Sequence, residues 1–251
     1  MSPLEALAIF AAGIVAGTIN TVVGSGTLFT FPVLLAFGYA PVVANVSNTV
    51  GLVPGSASGA WGYRRELAGQ RGRVLYLACA SVSGGVVGAV LLLSLPASAF
   101  EAIVPVFIAI ALVLIVFQPR ISALLAKHRP QSRRDRVGPL ATAGVFAGGI
   151  YGGYFGAAQG IMVLAILSLS LDDRLQRINA VKVVLTGVVN LVSGLVFVFA
   201  AHVAWAPAGL IAAGSLLGGV VGARVGRRLP PTALRAVIVV VGIAAIVHLL
   251  A

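Results

Sequence analysis

The sequence predicts an all-α polytopic membrane protein. It is arranged as two inverted-topology repeats, each a glycine-tipped helical hairpin, re-entrant or tilted, followed by three transmembrane helices. Three observations carry this prediction. The 251 residues are 59% hydrophobic and 9% charged, with a mean hydropathy of +1.07, whereas a soluble domain is about a quarter charged. Fifteen of the seventeen basic residues fall in four short segments between apolar runs. One glycine-rich pattern occurs twice, 134 residues apart.

The apolar runs lie near 5–38, 42–62, 74–95, 98–117, 139–171, 178–200, 207–223 and 231–251, and a helical span needs only ~20 residues. The first begins "MSPLEALAIF", with Glu5 and no basic residue, so it is expected to be retained rather than cleaved as a signal peptide. Within it, "GTINTVVGSGTLFTFP" at 17–32 places two glycines around Ser25 in the middle of an apolar stretch. Thirty-four residues are too few for two spans of ~20. A hairpin with its tip at Gly24-Ser25-Gly26 resolves the shortage, because a break in lipid is tolerated where it is buried in protein or lines a cavity. Residues 139–171 repeat the design, with a tip in "GGYFGAAQG", 152–160.

The basic segments are 63–73, 118–138, 172–177 and 224–230. Such clustering between spans is the positive-inside pattern and predicts a cytoplasmic face. It also argues against nucleic acid as the reason for the net charge of +11. The connections 38–43, 96–98 and 201–206 carry no Lys or Arg and are expected outside. "SGGVVGAVLLLSLPASAFEAIV" at 83–104 aligns without gaps with "LGGVVGARVGRRLPPTALRAVI" at 217–238. The basic connection near 224–230 therefore matches the uncharged one near 96, and 63–73 matches 197–207. Equivalent loops on opposite sides imply an inverted duplication: a first repeat 1–118, a basic linker 119–138 and a second repeat 139–251. The lone Cys79 sits in an apolar run, excludes an internal disulfide, and is expected to be a small buried residue.

Polar residues inside the apolar runs are the candidate site. On 178–200, Asn179, Lys182, Thr186, Asn190 and Ser193 are spaced to share one helix face, and such a stripe is expected to face the bundle interior or a cavity. The matching face of 42–62 carries Asn45, Asn48, Ser56 and Gly59, with Pro54 between Gly51 and Gly55 expected to loosen the helix. No Asp or Glu lies at the depth of Lys182. Either its ammonium snorkels to the surface or a small anion supplies its counter-charge. Hairpin tips offer helix N-terminal amides, which also bind anions. The expected substrate-binding set is Asn20, Gly24, Ser25, Gly26, Thr27, Asn45, Asn48, Ser56, Gly156, Gln159, Gly160, Lys182, Thr186 and Asn190, with the two tips approaching each other.

There is no phosphate-binding loop for ATP, no metal-ligand spacing and no nucleophile–base set in the sequence, so no cofactor and no enzymatic activity are expected. The expected partners are a small anionic substrate and the lipid bilayer, not nucleic acid; homo-oligomerisation is left open. Two mechanisms fit: a secondary carrier working by alternating access, or an anion channel with the same lining.

The segments "AGTINTVVGSGTLFTFPVLL", "AGGIYGGYFGAAQGIMVLAIL", "ANVSNTVGLVPGSASG" and "NAVKVVLTGVVNLVSGLVF", with "GGVVGA" occurring twice, resemble the TauE/SafE sulfite-exporter family, also called TSUP. The resemblance covers nearly the whole chain. It implies a bacterial inner-membrane carrier of sulfite, sulfoacetate or related small sulfur-containing or organic anions. The chain departs from the family at its tips, "GSGTL" and "GAAQG", and at Ser47-Asn48-Thr49, where the family has Thr-Asn-Lys.

Overall fold

The computed structural model describes residues 1–127, 137–225, 239–243 and 246–247. Most of the expected span 231–251, and the greater part of the basic segments 118–138 and 224–230 beyond Lys127 and Arg224, lie outside them. The described chain forms α1 (Pro3–Val22), α2 (Thr27–Ala36), α3 (Pro41–Gly62), α4 (Arg71–Ser94), α5 (Ala97–Lys127), α6 (Pro139–Tyr154), α7 (Gln159–Ser170), α8 (Leu175–Ala200) and α9 (Trp205–Val225). Five are long and apolar enough to cross a membrane: α1, α4, the first 25 residues of α5, α8 and α9. α3 is as long at 22 residues but is diluted by Asn45, Ser47, Asn48, Thr49, Ser56 and Ser58. At 1.5 Å per residue, α2 and α7 extend only ~15 and ~18 Å, well short of a ~30 Å hydrocarbon core. Neither is long enough to cross such a core alone.

Four expectations are corrected. The second tip is narrower than 152–160, because Gly152 and Gly153 are still in α6 and the chain turns only over 155–158. Arg71, Gly72 and Arg73 form the first turn of α4 rather than a loop. α5 runs on through Pro119 to Lys127, so the start of the basic linker is helical. Cys79 is exposed: it lies on the outer face of α4, where a thiol facing lipid needs no protein cover.

Glycine sets how closely the helices pack. A Cβ on Gly84 would strike the Phe146 carbonyl oxygen and one on Gly88 that of Ile150, fixing α4 against α6. On the other side of the bundle a Cβ on Gly218 would strike the Ile14 carbonyl oxygen, fixing α9 against α1. α3 and α8 run through the centre, packed on each other and on α9 and α4 respectively. The expected loosening at Pro54 does not break α3. The Ser215 hydroxyl of α9 donates to the Gly51 carbonyl at 2.8 Å and accepts from the Gly55 amide at 3.2 Å, the pair a regular helix joins to each other.

The contacts at the two ends fix the direction of each hairpin. Tyr39 Oη donates to Glu5 at 3.3 Å, so α1 begins and α2 finishes at the end where α3 starts. At the opposite end Arg73 meets Asp173 at 3.0 Å, Arg177 meets the same carboxylate at 3.0 Å, and Arg177 donates to the Ala68 carbonyl at 3.2 Å. The basic segments 63–73 and 172–177 thus share one end, where Gly62 also packs against Ala223, next to Arg224.

Burial alone would raise the Asp173 carboxyl, but hydrogen bonds from the Arg174 amide, Arg73 and Arg177 outweigh it and hold Asp173 below the ordinary carboxylate range. A lowered folded value contributes stability that is present above about pH 4 and lost as pH falls through that value. Partly exposed pairs are worth ~1 kcal/mol or less. We expect Asp173→Asn to lower the Tm of the purified protein at pH 7 by about 2–4 °C. Acidification below pH ~4 should cost the wild type a comparable increment and the variant none of it. A variant with unchanged Tm at pH 7 would show that this tie does not hold the two segments together.

Candidate functional site

The two tips are built alike. α1 closes with the Val23 and Gly24 amides both donating to the Ile19 carbonyl, at 2.7 and 3.0 Å; α6 closes with the Phe155 and Gly156 amides both donating to the Tyr151 carbonyl, at 2.9 and 3.0 Å. Gly24 and Gly156 follow with φ of +89° and +78°, a left-handed conformation that glycine adopts without steric cost. The chain then reverses into α2 and α7. Ala158, which opens α7, has φ of +60°, a conformation that costs a non-glycine residue of order 1 kcal/mol or more.

The tips meet. The Gly160 amide donates to the Gly24 carbonyl at 3.0 Å, and a Cβ on Gly24 would lie 2.5 Å from Gly160 Cα. At this junction the amides of Ser25, Gly26, Thr27, Ala157 and Ala158 have no acceptor among the described residues. The Ser25 hydroxyl, fully buried, is likewise unpartnered. Buried backbone amides are almost always paired, so five unpaired donors at two touching turns single out the place.

The central helices brace both turns. Lys182 on α8 is fully buried; its Nζ donates to the Asn20 and Thr21 carbonyls, both at 3.3 Å. Those carbonyls belong to the last turn of α1, the negative end of its dipole. The ammonium does not snorkel and meets no carboxylate among the described residues, and its stem passes Gly160, whose Cβ would lie 3.0 Å from Lys182 Cδ. Asn45 on α3 acts reciprocally on the second hairpin. Its Nδ2 donates to the Tyr154 carbonyl, the last of α6, at 2.9 Å, leaving Oδ1 without a partner. Asn48 Nδ2 donates to Thr27 at 3.2 Å, while its Oδ1 accepts from Thr30. Asn20 Nδ2 donates to Ser56 at 3.3 Å. The Gln159 amide packs where a Cβ on Gly152 would stand.

Of the fourteen residues singled out by sequence, Asn20, Gly24 to Thr27, Asn45, Asn48, Ser56, Gln159, Gly160 and Lys182 are brought together at or beside the junction. Gly156 sits in the second turn. Thr186 is buried but turns its hydroxyl back to the Lys182 and Val183 carbonyls. Asn190 is half-buried two turns from Lys182 and adds no hydrogen bond to the cluster. Sequence reasoning missed Thr30, the Asn20, Thr21 and Tyr154 carbonyls, and an aromatic wall. Phe31 and Phe155 pack edge to face at 5.2 Å, with Phe100 and Phe107 behind them. Only the recurrence of Phe along the first hairpin hinted at it.

These features define a polytopic helical membrane protein with a buried, cation-bearing polar centre. The profile of the Sulfite exporter TauE/SafE family matches residues 9–249, and the chain belongs to that family. It is 27% identical over 241 residues to the "Probable membrane transporter protein" of Haemophilus influenzae, covering 94% of this chain and 91% of that one. It is 28% identical over 233 residues to "Probable membrane transporter protein YfcA" of Escherichia coli K12, covering 91% and 82%. A third relative, "Probable membrane transporter protein ORF9" of a Sinorhizobium species, is 28% identical over 246 residues, covering 97% and 91%.

Because a Cβ on Gly160 would collide with backbone rather than a flexible side chain, Gly160→Ala must part the tips. Overpacking of this kind costs ~1–3 kcal/mol. We expect its Tm to fall by several degrees while Gly138→Ala, with open space around it, leaves Tm unchanged. Equal Tm values for both would mean the tips are not in firm contact.

Proposed function

We propose that the chain is a secondary carrier of a small anion, of the sulfite and sulfonate class or a related organic anion, which binds at the junction of the two hairpin tips. The observation that carries this reading is the coincidence of five unpaired tip amides, the unpartnered Ser25 hydroxyl and the Lys182 ammonium in one buried place. Helix N-terminal amides and an ammonium both favour negative charge. Half-helix ends meeting near the midplane around an ionic substrate are the usual construction of transporters with inverted repeats. The family's own description, a sulfite exporter, agrees in chemical class.

The inverted repeat belongs to the same proposal. Its support is contact by contact. Gly84 packs on Phe146 as Gly218 packs on Ile14, and Gly85 meets Val189, Val192 and Ser193 as Gly219 meets Gly55, Ser58 and Gly59. The first hairpin opens toward the end where α3 begins, the second toward the end where α3 finishes. We place the basic end in the cytoplasm by the positive-inside rule and the protein in a bacterial inner membrane. With the tips in contact, Ser25, Asn45, Asn48, Ala157, Ala158 and Lys182 are fully buried, so the junction is closed to solvent. Access from either side then requires one hairpin to part from the other, which is alternating access. A junction closed on both sides favours a carrier over an open channel.

The test is flux in proteoliposomes with sulfite, sulfate, thiosulfate, sulfoacetate and lactate. We expect saturable uptake of at least one anion, stimulated by the same anion trapped inside. Lys182→Ala should reduce it at least tenfold and Ser25→Ala several-fold, as loss of one charged and one neutral hydrogen-bonding group predicts. Flux unchanged in both variants would place the site elsewhere, and large unitary currents would make the protein a channel.

A further inference from the structure

The basic end holds a cavity that the proposed transport site does not include. A cavity of about 610 Å³ is lined by Arg64, Leu67, Ala68, Gly69, Arg71, Val74 and Leu75, between the close of α3 and the opening of α4. In the sequence these arginines are only a topology signal, and the proposed transport site does not use them at all. We propose that this cavity binds the phosphodiester headgroup of an anionic phospholipid.

Charge is the first argument. Residues 63–73 hold four arginines against one glutamate. Arg73 is engaged by Asp173, but neither Arg64 nor Arg71 has a carboxylate partner among the described residues. Arg71 stands in the first turn of α4, and Gln70, which precedes that turn, makes no side-chain capping bond. A cation there opposes the helix dipole. An anion held between Arg71, Arg64 and the first amides of α4 reverses that repulsion.

Depth is the second. Trp61, 70% exposed, is one turn before Arg64, and indole rings of this kind settle at the headgroup level of a bilayer. Arg64 stacks on that ring at 5.3 Å and donates one N–H to the Trp61 carbonyl at 3.2 Å, which leaves most of its guanidinium donors for a phosphate. The cavity wall continues into lipid: Leu75 lines the cavity and is 67% exposed, and Tyr76 beside it is 54% exposed. A free phosphate ion has no use for such a wall, whereas a lipid with its acyl chains along α4 does.

Preorganisation is the third. The Ala68 and Gly69 wall is held by Arg177, which donates to the Ala68 carbonyl at 3.2 Å, and by buried Gln70, whose Nε2 donates to the Glu66 carbonyl at 2.8 Å. Basic cavities among helices at the cytoplasmic surface are a known means of headgroup recognition.

The experiment is native mass spectrometry and thermal stability of the full-length protein in nanodiscs of phosphatidylglycerol or of phosphatidylcholine. We expect phosphatidylglycerol to be retained as a discrete adduct and to raise Tm, and phosphatidylcholine to do neither. Near a membrane each arginine contributes roughly a factor of five, so Arg64→Gln and Arg71→Gln should each weaken retention about fivefold and the double variant about thirtyfold. Arg65→Gln, in the same segment but outside the cavity lining, should leave it unchanged. Equal retention of the two lipids, or equal loss in R65Q, overturns the site. Stabilisation by inorganic phosphate in detergent that matches phosphatidylglycerol overturns the lipid assignment.

Discussion

The structure depends on how two interrupted apolar helices end in the buried interior of the bundle. Every unpaired carbonyl or amide there costs several kcal/mol unless protein or water meets it. Here the carbonyl ends are met by protein from a distance. Lys182 of α8 reaches the last turn of α1, and Asn45 of α3 reaches the last carbonyl of α6. Each central helix thereby closes the hairpin from the other part of the chain, so neither hairpin is complete without its counterpart. The amide ends are treated differently: one, at Gly160, is used to join the tips, and five are left.

The unpaired amides set the tips apart from the packed seams, and the proposed site rests on them. Interhelical hydrogen bonds that only hold a bundle together satisfy donors and acceptors alike, as Ser215 does in bridging the opened rung of α3 and Thr18 does in donating to Gly218 across the α1–α9 seam. At the tips Lys182 and Asn45 serve the Asn20, Thr21 and Tyr154 carbonyls, while five amides and the Ser25 hydroxyl have no partner among the described residues. A glycine-built seam also suits motion. The contact between tips is backbone against backbone with one hydrogen bond, a join of about 1 kcal/mol net, whereas the α1–α9 and α4–α6 seams interlock over several turns. The join between the tips is therefore slighter than either of those seams.

Much of this was legible in the sequence, and the failures have identifiable causes. Local signals worked. Gly24 and Gly156 mark left-handed turns that few other residues allow, and the 3–4 spacing from Asn179 to Ser193 marks a buried face. Boundaries failed where charge was equated with loop: Arg71 and Arg73 lie in the first turn of α4, and Arg73 is engaged there by Asp173, a hundred residues away. Cys79 misled because burial in protein and residence in lipid look the same in composition. The bracing bonds of Lys182 and Asn45 end on backbone carbonyls, which every residue has, so no residue pattern could announce them. The Phe31–Phe155 wall joins two distant segments, and the recurrence of Phe along the first hairpin alone cannot name its partner.

The charge balance of the junction follows from its helix ends. Each end carries about half an elementary charge, positive at an N-terminus and negative at a C-terminus. α1 and α6 bring C-termini to the junction, α2 and α7 bring N-termini, and the four contributions cancel. What remains is Lys182, whose ammonium form has no Asp or Glu among the buried described residues to offset it. The carbonyls that hold the ammonium satisfy its hydrogens without neutralising it, because their half-charge is already balanced by the N-terminus across the turn. Burying an unmatched unit charge is costly in so apolar a surround. Under the proposed function, a single negative charge seated on the free amides offsets the ammonium form of Lys182 and removes that cost.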